Sequence, residues 1–253
     1  MNKDLYPAIF KRKSFHSFKL AKEARITLEE LKDIEAAFLT FEPLYKDIKV
    51  GMQIVPAQGP GLKRDAEYCI LLYSEKKDNS LVNLGYLGEQ LDLYLVNKNI
   101  ATLWFGFGNT KLKTYQDLEF VTMIAIAKTD GPEAFRKDIS EFKRFPVEDI
   151  WKGETLGVAE VARLAPSACN FQPWFVENHD GLLKIYRHKN KNNFFKMPTF
   201  IAFRFNRIDV GIFLCFLELA LQEKGYSFKR TLFVDPADKK VEFTKVAEYM
   251  LVK

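Results

Sequence analysis

The residues best equipped for chemistry lie in one ten-residue run, Ala165-Pro166-Ser167-Ala168-Cys169-Asn170-Phe171-Gln172-Pro173-Trp174. Pro166 ends the helical pattern before it. Pro173 favours extended chain around it, so the residues between must turn. Ser167, Asn170 and Gln172 carry donors and acceptors that a planar heteroaromatic ring can use. The same side chains can instead satisfy loose backbone groups in a helix-to-strand turn. Residue types alone leave both readings open. Cys169 has no histidine near it in sequence, so it reads as a small buried filler rather than a nucleophile.

A second group stands near the N-terminus. Residues 8–18 read as a short helix running into a basic, hydroxyl-bearing turn that holds Arg12, Lys13 and Ser14. Arginine offers a bidentate fork and serine a neutral donor, which together suit a phosphate. A solvated basic patch has the same letters.

Both groups need a scaffold, and 253 residues are enough for one large domain or two small ones. The hydrophobic share of 47% and charged share of 28% are those of a globular protein. The 23 phenylalanines point to thick aromatic packing and a pocket for flat ligands. A net charge of +5 suits an anionic cofactor better than a nucleic-acid groove, for which no motif is present. Three scattered cysteines make no disulfide framework and no metal-ligand spacing. The N-terminus lacks an apolar signal region, and the longest apolar run, Val210 to Leu221, is broken by Glu218 and too short to span a bilayer. The expectation is a cytoplasmic protein without membrane or nucleic-acid partners.

Thr27 and Glu30 form a capping box, opening a helix to about Phe38. Strands are expected at 47–55, 67–73, 100–105 and 120–127. Between them, 80–98 is the strongest helix of the first half, with Leu84, Leu87, Leu91 and Leu95 at helical spacing. Gly85 and Gly88 weaken that helix, which close packing against a second helix would offset. Residues 106–109 read as a turn and 131–146 as a polar surface crossing. The second half repeats the plan: a helix at 154–165, a hairpin of strands 174–178 and 182–187, a helix at 208–224, and strands at 226–234 and 241–252. The basic, Asn-rich run 187–193 and the Phe194, Phe195, Met197 and Pro198 after it read as a lid or as a plain surface loop.

The repetition extends to letters. Phe41-Glu42-Pro43 lies 130 positions before Phe171-Gln172-Pro173, and Thr27-Leu28 lies 128 before Thr155-Leu156. Gly85, Leu91, Leu95 and Lys98 lie 126 before Gly211, Leu217, Leu221 and Lys224. This predicts two similar halves, 1–146 and 147–253, with the glycine-bearing helices meeting near a pseudo-twofold axis. The halves differ chemically. Ala37 and Thr40 stand where Ser167 and Asn170 would be, and nothing before Thr155 matches the Arg12 turn. One complete site is therefore expected where the halves meet, and its mirror image is expected to be dead.

The ordered set resembles the FMN-dependent nitroreductase family, in its single-chain duplicated branch. The likeness covers most of the chain. It rests on Arg12-x-Ser14, the run from Asn99 to Trp104 and Gly106, Lys143-Arg144, the box from Pro166 to Trp174, and Ile208-Asp209-Val210-Gly211. The resemblance implies an α+β fold with a central, mainly antiparallel sheet flanked by helices. It implies an FMN whose phosphate and ribityl chain are held by Arg12, Lys13 and Ser14. His16 stands where relatives have a second basic residue, and Lys143 or Arg144 would add charge. Pro166, Ser167, Asn170 and Gln172 would line the ring from the second half, and Trp104 and Gly106 from the first. In relatives, Gly-Leu-Gly stands where this chain has Asn99-Ile100-Ala101. The implied activity is hydride and electron transfer from NAD(P)H through FMN to a nitroaromatic or quinone-like acceptor. No catalytic side chain is required, no metal is implied, and the fused halves imply a monomer. The alternative is a flavin carrier, store or sensor without turnover.

Overall fold

The computed structural model describes residues 2–18, 24–58, 64–188, 199–235 and 243–252. After a 3-10 turn at Lys3–Leu5 comes α1 (Ala8–Lys11), which ends at the extended residue Arg12. Ser14 then pairs with Thr102 in an isolated parallel bridge, and Phe15 N donates to Thr102 O at 3.0 Å. That bridge fixes the basic turn beside a buried strand. Helix α2 (Leu28–Phe38) starts at the expected capping box: Thr27 Oγ1 accepts from Glu30 N at 3.1 Å, and Glu30 Oε2 accepts from Thr27 N at 2.9 Å.

Strands β1 (Val50–Pro56) and β2 (Tyr68–Ser74) precede α3 (Ser80–Asn97), and β3 (Ile100–Trp104), β4 (Thr114–Tyr115) and β5 (Leu118–Lys128) follow it. They form an antiparallel sheet in the order β1-β2-β5-β3, with β4 attached to β5. Residues 131–146 cross the surface as expected, anchored by the buried rings of Phe135 and Phe142.

The second half opens with α4 (Val147–Ile150), β6 (Trp151–Lys152) and α5 (Ala159–Ala162). The expected helix over 154–165 shrinks to that single turn of α5. Leu156 (φ 57°) and Gly157 (φ 64°) are left-handed, and two such residues break an α-helix before it starts. Next come β7 (Trp174–His179), β8 (Leu182–His188), α6 (Thr199–Glu223), β9 (Ser227–Leu232) and β10 (Phe243–Val252). The sheet order is β6-β7-β8-β10-β9, all antiparallel except for the β6–β7 pair. Helix α6 begins nine residues earlier than its apolar pattern predicts. The lid or loop read at 189–198 lies outside the described residues. Arg187 belongs to β8, where it is fully buried and paired with Asp235 at 2.6 Å.

The architecture is α+β, with antiparallel sheets and helices. The β7-β8-β10-β9 order repeats the β1-β2-β5-β3 order, each with one long helix between its second and third strands. Those helices, α3 and α6, pack together along most of their buried length. Their crossing is reciprocal. A Cβ on Gly85 would lie 2.1 Å from Ile208 O, and one on Gly211 would lie 2.0 Å from Val82 O. Val82 and Ile208, like the two glycines, are 126 positions apart. The hydrophobic core runs continuously through both halves, and Trp174 stacks on Phe213 within it at 4.9 Å between centroids. No helix among the described residues is long and apolar enough to cross a membrane.

Candidate functional site

A cavity of about 600 Å³ opens between the halves. Of the residues singled out in sequence, Arg12, Ser14, His16, Trp104, Gly106, Lys143 and Arg144 line it from the first half. Pro166, Ser167 and Asn170 line it from the second. Lys13 and Gln172 are not on the wall. Lys13 Nζ donates to Ala134 O at 3.0 Å and sits over the Phe15 ring. Gln172 is fully buried and works on the backbone: its Oε1 accepts from Phe145 N at 2.9 Å. For Gln172 the turn-satisfying reading of the box describes its contacts.

Arg12 is only 2% exposed. Its Nε donates to Asp92 Oδ2 at 3.0 Å, and Glu89 lies at 3.6 Å. Asp92 also accepts from Thr102 Oγ1 at 2.5 Å and from Trp104 Nε1 at 3.0 Å. One carboxylate of α3 thus fixes three residues at the cavity edge. Burial and then the neighbouring Asp92 push the Glu89 carboxyl well above the usual carboxylate range. Asp92, at 3.0 Å, is the closer acid and the one hydrogen-bonded to Arg12. In the sequence this helix reads as a leucine pattern, which carries no sign that either acid is buried.

Arg136, Lys143 and Arg144 bring three more cations to the wall. Arg136 donates to the Arg12 carbonyl, and Arg144 Nε donates to Ala165 O at 3.0 Å. Burial first, then the charges of Arg12 and Arg136, pull the Arg144 value down to about 9. Burial and Arg12 pull Arg136 down as well. Arginine keeps its proton in proteins. Beyond burial, part of each shift is repulsion between these neighbouring cations, which a bound anion relieves. Arg136 escaped the sequence reading because 131–146 showed only a charged surface crossing; one more cation close to Lys143-Arg144 was its single signal.

The box itself is strained. Cys169 (φ 51°), Asn170 (φ 58°) and Gln172 (φ 48°) are all left-handed, at a cost of roughly 1–3 kcal/mol each. Hydrogen bonds hold the shape. Ser167 Oγ accepts from Gln172 N at 2.9 Å, Asn170 Oδ1 accepts from Arg144 at 2.8 Å, and Asn170 Nδ2 donates to Lys143 O at 2.9 Å. The segment 143–145 and the box therefore brace each other across the junction. The left-handed turn also corrects the reading of Cys169 as a buried filler. Its side chain is exposed and lies on the cavity wall.

Helix α6 closes the cavity with Phe205, Ile208, Asp209 and Ile212. Phe205 packs on Phe107, and a Cβ on Gly106 would lie 2.7 Å from its ring, so glycine permits this close approach of the halves. Asp209 is 3% exposed. It stood in the sequence only as one letter of a resemblance; its signal was an acid at the head of an apolar helix. Among the described residues no group of three His, Cys, Asp or Glu side chains could hold a metal.

A family model described as "Putative TM nitroreductase" matches residues 4–221. The chain belongs to this nitroreductase family. Nitroreductases are in general flavin oxidoreductases, and the chain has their fold. A putative nitroreductase of Thermotoga maritima aligns with 99% of this chain and 94% of its own at 20% identity, with a TM-score of 0.62. A putative NADH dehydrogenase/NAD(P)H nitroreductase of Parabacteroides distasonis covers 59% of this chain at 14% identity and a TM-score of 0.43, over 97% of its own length. A putative nitroreductase of Desulfovibrio desulfuricans, solved in complex with FMN, covers 59% of this chain at 14% identity and a TM-score of 0.41, over 95% of its own length. A search of curated proteins finds no match.

Proposed function

We propose that the cavity between the halves binds one FMN and that the chain moves hydride from NAD(P)H to a nitroaromatic or quinone-like acceptor. The observation that carries this reading is the composition of the wall. Four cations and a serine stand in a single cavity with the polar turn of the box and the apolar face of α6. A phosphate ester joined to a flat heteroaromatic ring calls for that combination. The volume is that of a cofactor pocket.

Each residue then has a task. Arg136, Lys143 and Arg144 supply positive charge to the phosphate, and Ser14 supplies a hydroxyl. Arg12, hydrogen-bonded to Asp92, holds the wall and directs the turn. Pro166, Ser167 and Asn170 border the ring, with Trp104 and Phe205 excluding water. The bound flavin supplies the hydride chemistry, so no side chain need act as a general base.

The two halves, 1–146 and 147–253, are in this proposal copies of one ancestral unit, and the chain acts as a monomer. The reciprocal glycine crossing and the repeated strand order support it. At the pseudo-equivalent place in the other half, Phe233 O accepts from Tyr45 Oη at 3.3 Å and Asn79 Nδ2 at 3.2 Å. Backbone is hydrogen-bonded there directly onto the first half, in keeping with a single working site.

The test is anaerobic addition of NAD(P)H to the flavin-loaded chain, followed by a quinone. Bleaching followed by recovery of the absorbance is the expected result. A bound flavin that NAD(P)H leaves oxidised would make the chain a carrier or sensor instead. Lys143→Ala is expected to raise the FMN dissociation constant about tenfold, the loss of one charge-assisted hydrogen bond. Lys143 is exposed, so its urea midpoint should stay unchanged. Binding calorimetry and urea titration check the pair of outcomes.

A further inference from the structure

Among the described residues, Asp209 is the only acid on the cavity wall. Its Oδ1 accepts from Ala168 N at 3.0 Å. Its Oδ2 is buried and has no hydrogen-bond partner among the described residues. A buried carboxylate oxygen without a donor is costly, whereas a carboxylic acid O–H facing a ligand acceptor is not.

The first half offers a position to compare with Asp209. Asn83 lies 126 positions before Asp209, in register with the glycine pair. Its Oδ1 accepts from Tyr45 N at 3.0 Å, as Asp209 Oδ1 accepts from Ala168 N. Its Nδ2 donates to Tyr45 O and Ile48 O at 3.3 and 3.2 Å. The first atom therefore does the same work in both halves: it accepts from the loop that enters the helix pair. The second atom is a donor spent on carbonyls in one half and a buried oxygen of a cavity-lining residue in the other.

We infer that Asp209 is protonated in the folded chain and donates its Oδ2–H into the cavity, to a hydrogen-bond acceptor on the ring of the bound flavin. The identity of that acceptor rests on the function proposed above; the proton on Asp209 does not. Asp209 is thus a ligand-binding residue that imitates an asparagine.

The surroundings agree. Burial pushes the Asp209 carboxyl up to about 8, and the Ala168 N–H only partly opposes it. The charged and titratable groups facing it are Cys169 from the box and, around the wall, Arg12, His16, Arg136, Lys143 and Arg144. On α3, Glu89 and Asp92 face Arg12 and Trp104. None of these cations is hydrogen-bonded to Oδ2.

The experiment measures FMN binding to the apo chain between pH 6 and 9.5, for the unaltered protein and Asp209→Asn. Asparagine keeps both the acceptor for Ala168 N and a donor toward the cavity. Titration of the flavin itself affects both proteins alike, so the ratio of their dissociation constants is the quantity read. The ratio is expected to be flat up to pH 7 and to climb above pH 8, by as much as about tenfold per unit. Infrared spectra of the ligand-free chain supply a second reading. A protonated carboxyl stretch that survives Glu89→Gln and vanishes in Asp209→Asn, or above pH 9 in the Glu89→Gln protein, is expected. A ratio that stays flat to pH 9.5, or Asp209→Asn losing FMN at pH 7 with no carboxyl stretch to remove, overturns the inference. If neither protein takes up FMN at any pH, the flavin reading fails, and the infrared band alone decides the proton on Asp209.

Discussion

Replacing Asp92 by alanine is expected to destabilise the chain by about 4 kcal/mol, the range for stripping the partner from a buried charge. Three losses combine. Arg12 keeps Glu89, at 3.6 Å, and the neutral Ser14 hydroxyl, at 3.2 Å, in a site where Arg12 and Glu89 are both buried. Thr102, fully buried, loses the acceptor of its hydroxyl. Trp104 Nε1 keeps Glu89 Oε2 at 3.1 Å but loses Asp92. Urea unfolding should show the lower midpoint. Arg12 and Trp104 are also cavity walls, so FMN affinity should fall even in conditions where the variant is folded. Asp92→Asn, which keeps the shape and loses the charge, should lie between the two in stability. A variant of wild-type stability would mean that Arg12 does not depend on this carboxylate, and the account of the wall would be wrong.

The second large effect concerns the helix crossing. In an exposed helix, Gly→Ala stabilises by about 1 kcal/mol. For Gly85→Ala and Gly211→Ala the sign should reverse. Each added methyl meets a carbonyl oxygen at about 2 Å, and backbone cannot step aside as a side chain can. Overpacking of this kind costs roughly 3 kcal/mol or more, which outweighs the propensity gain. The reciprocal geometry adds a sharper expectation. Gly85 rests on Ile208 and Gly211 on Val82, within one crossing. Once the first alanine has parted α3 from α6, the second should cost little, so the double variant should be less damaging than the sum of the two. Strict additivity would argue against a shared crossing. The parted helices should also widen the cavity, since Ile208 and Asp209 sit one turn or less from Gly211.

Much of this fold is legible because local signals and tertiary demands agree. Thr27 and Glu30 cap α2 as their types require, and Gly85 and Gly211 mark a close helix crossing through the absence of side chains. The signal fails where tertiary contacts override local pattern. Leu156 takes a left-handed φ that its type disfavours, which cuts the helix expected from 154. Glu89 and Asp92 sit in a leucine-rich helix and look like ordinary solvent-facing acids in sequence, although both are fully buried. The site shows the same division. Ten of the twelve residues singled out line the cavity. Lys13 and Gln172 do not, because spacing cannot tell which member of a polar cluster faces a ligand and which holds the backbone. Arg136 and Asp209 were hidden for the opposite reason. Each is a single letter whose meaning depends on what folds against it.

The most direct test of the account is the visible spectrum of the chain saturated with FMN and freed of excess, with the flavin released by denaturation and counted. One FMN per chain is the predicted result, bound where the Arg12 turn of one half meets the Pro166–Gln172 box of the other. Two per chain would show that the mirror place also binds and that the halves are not chemically distinct. None, after incubation with excess FMN, would contradict the central claim that this junction is a flavin site.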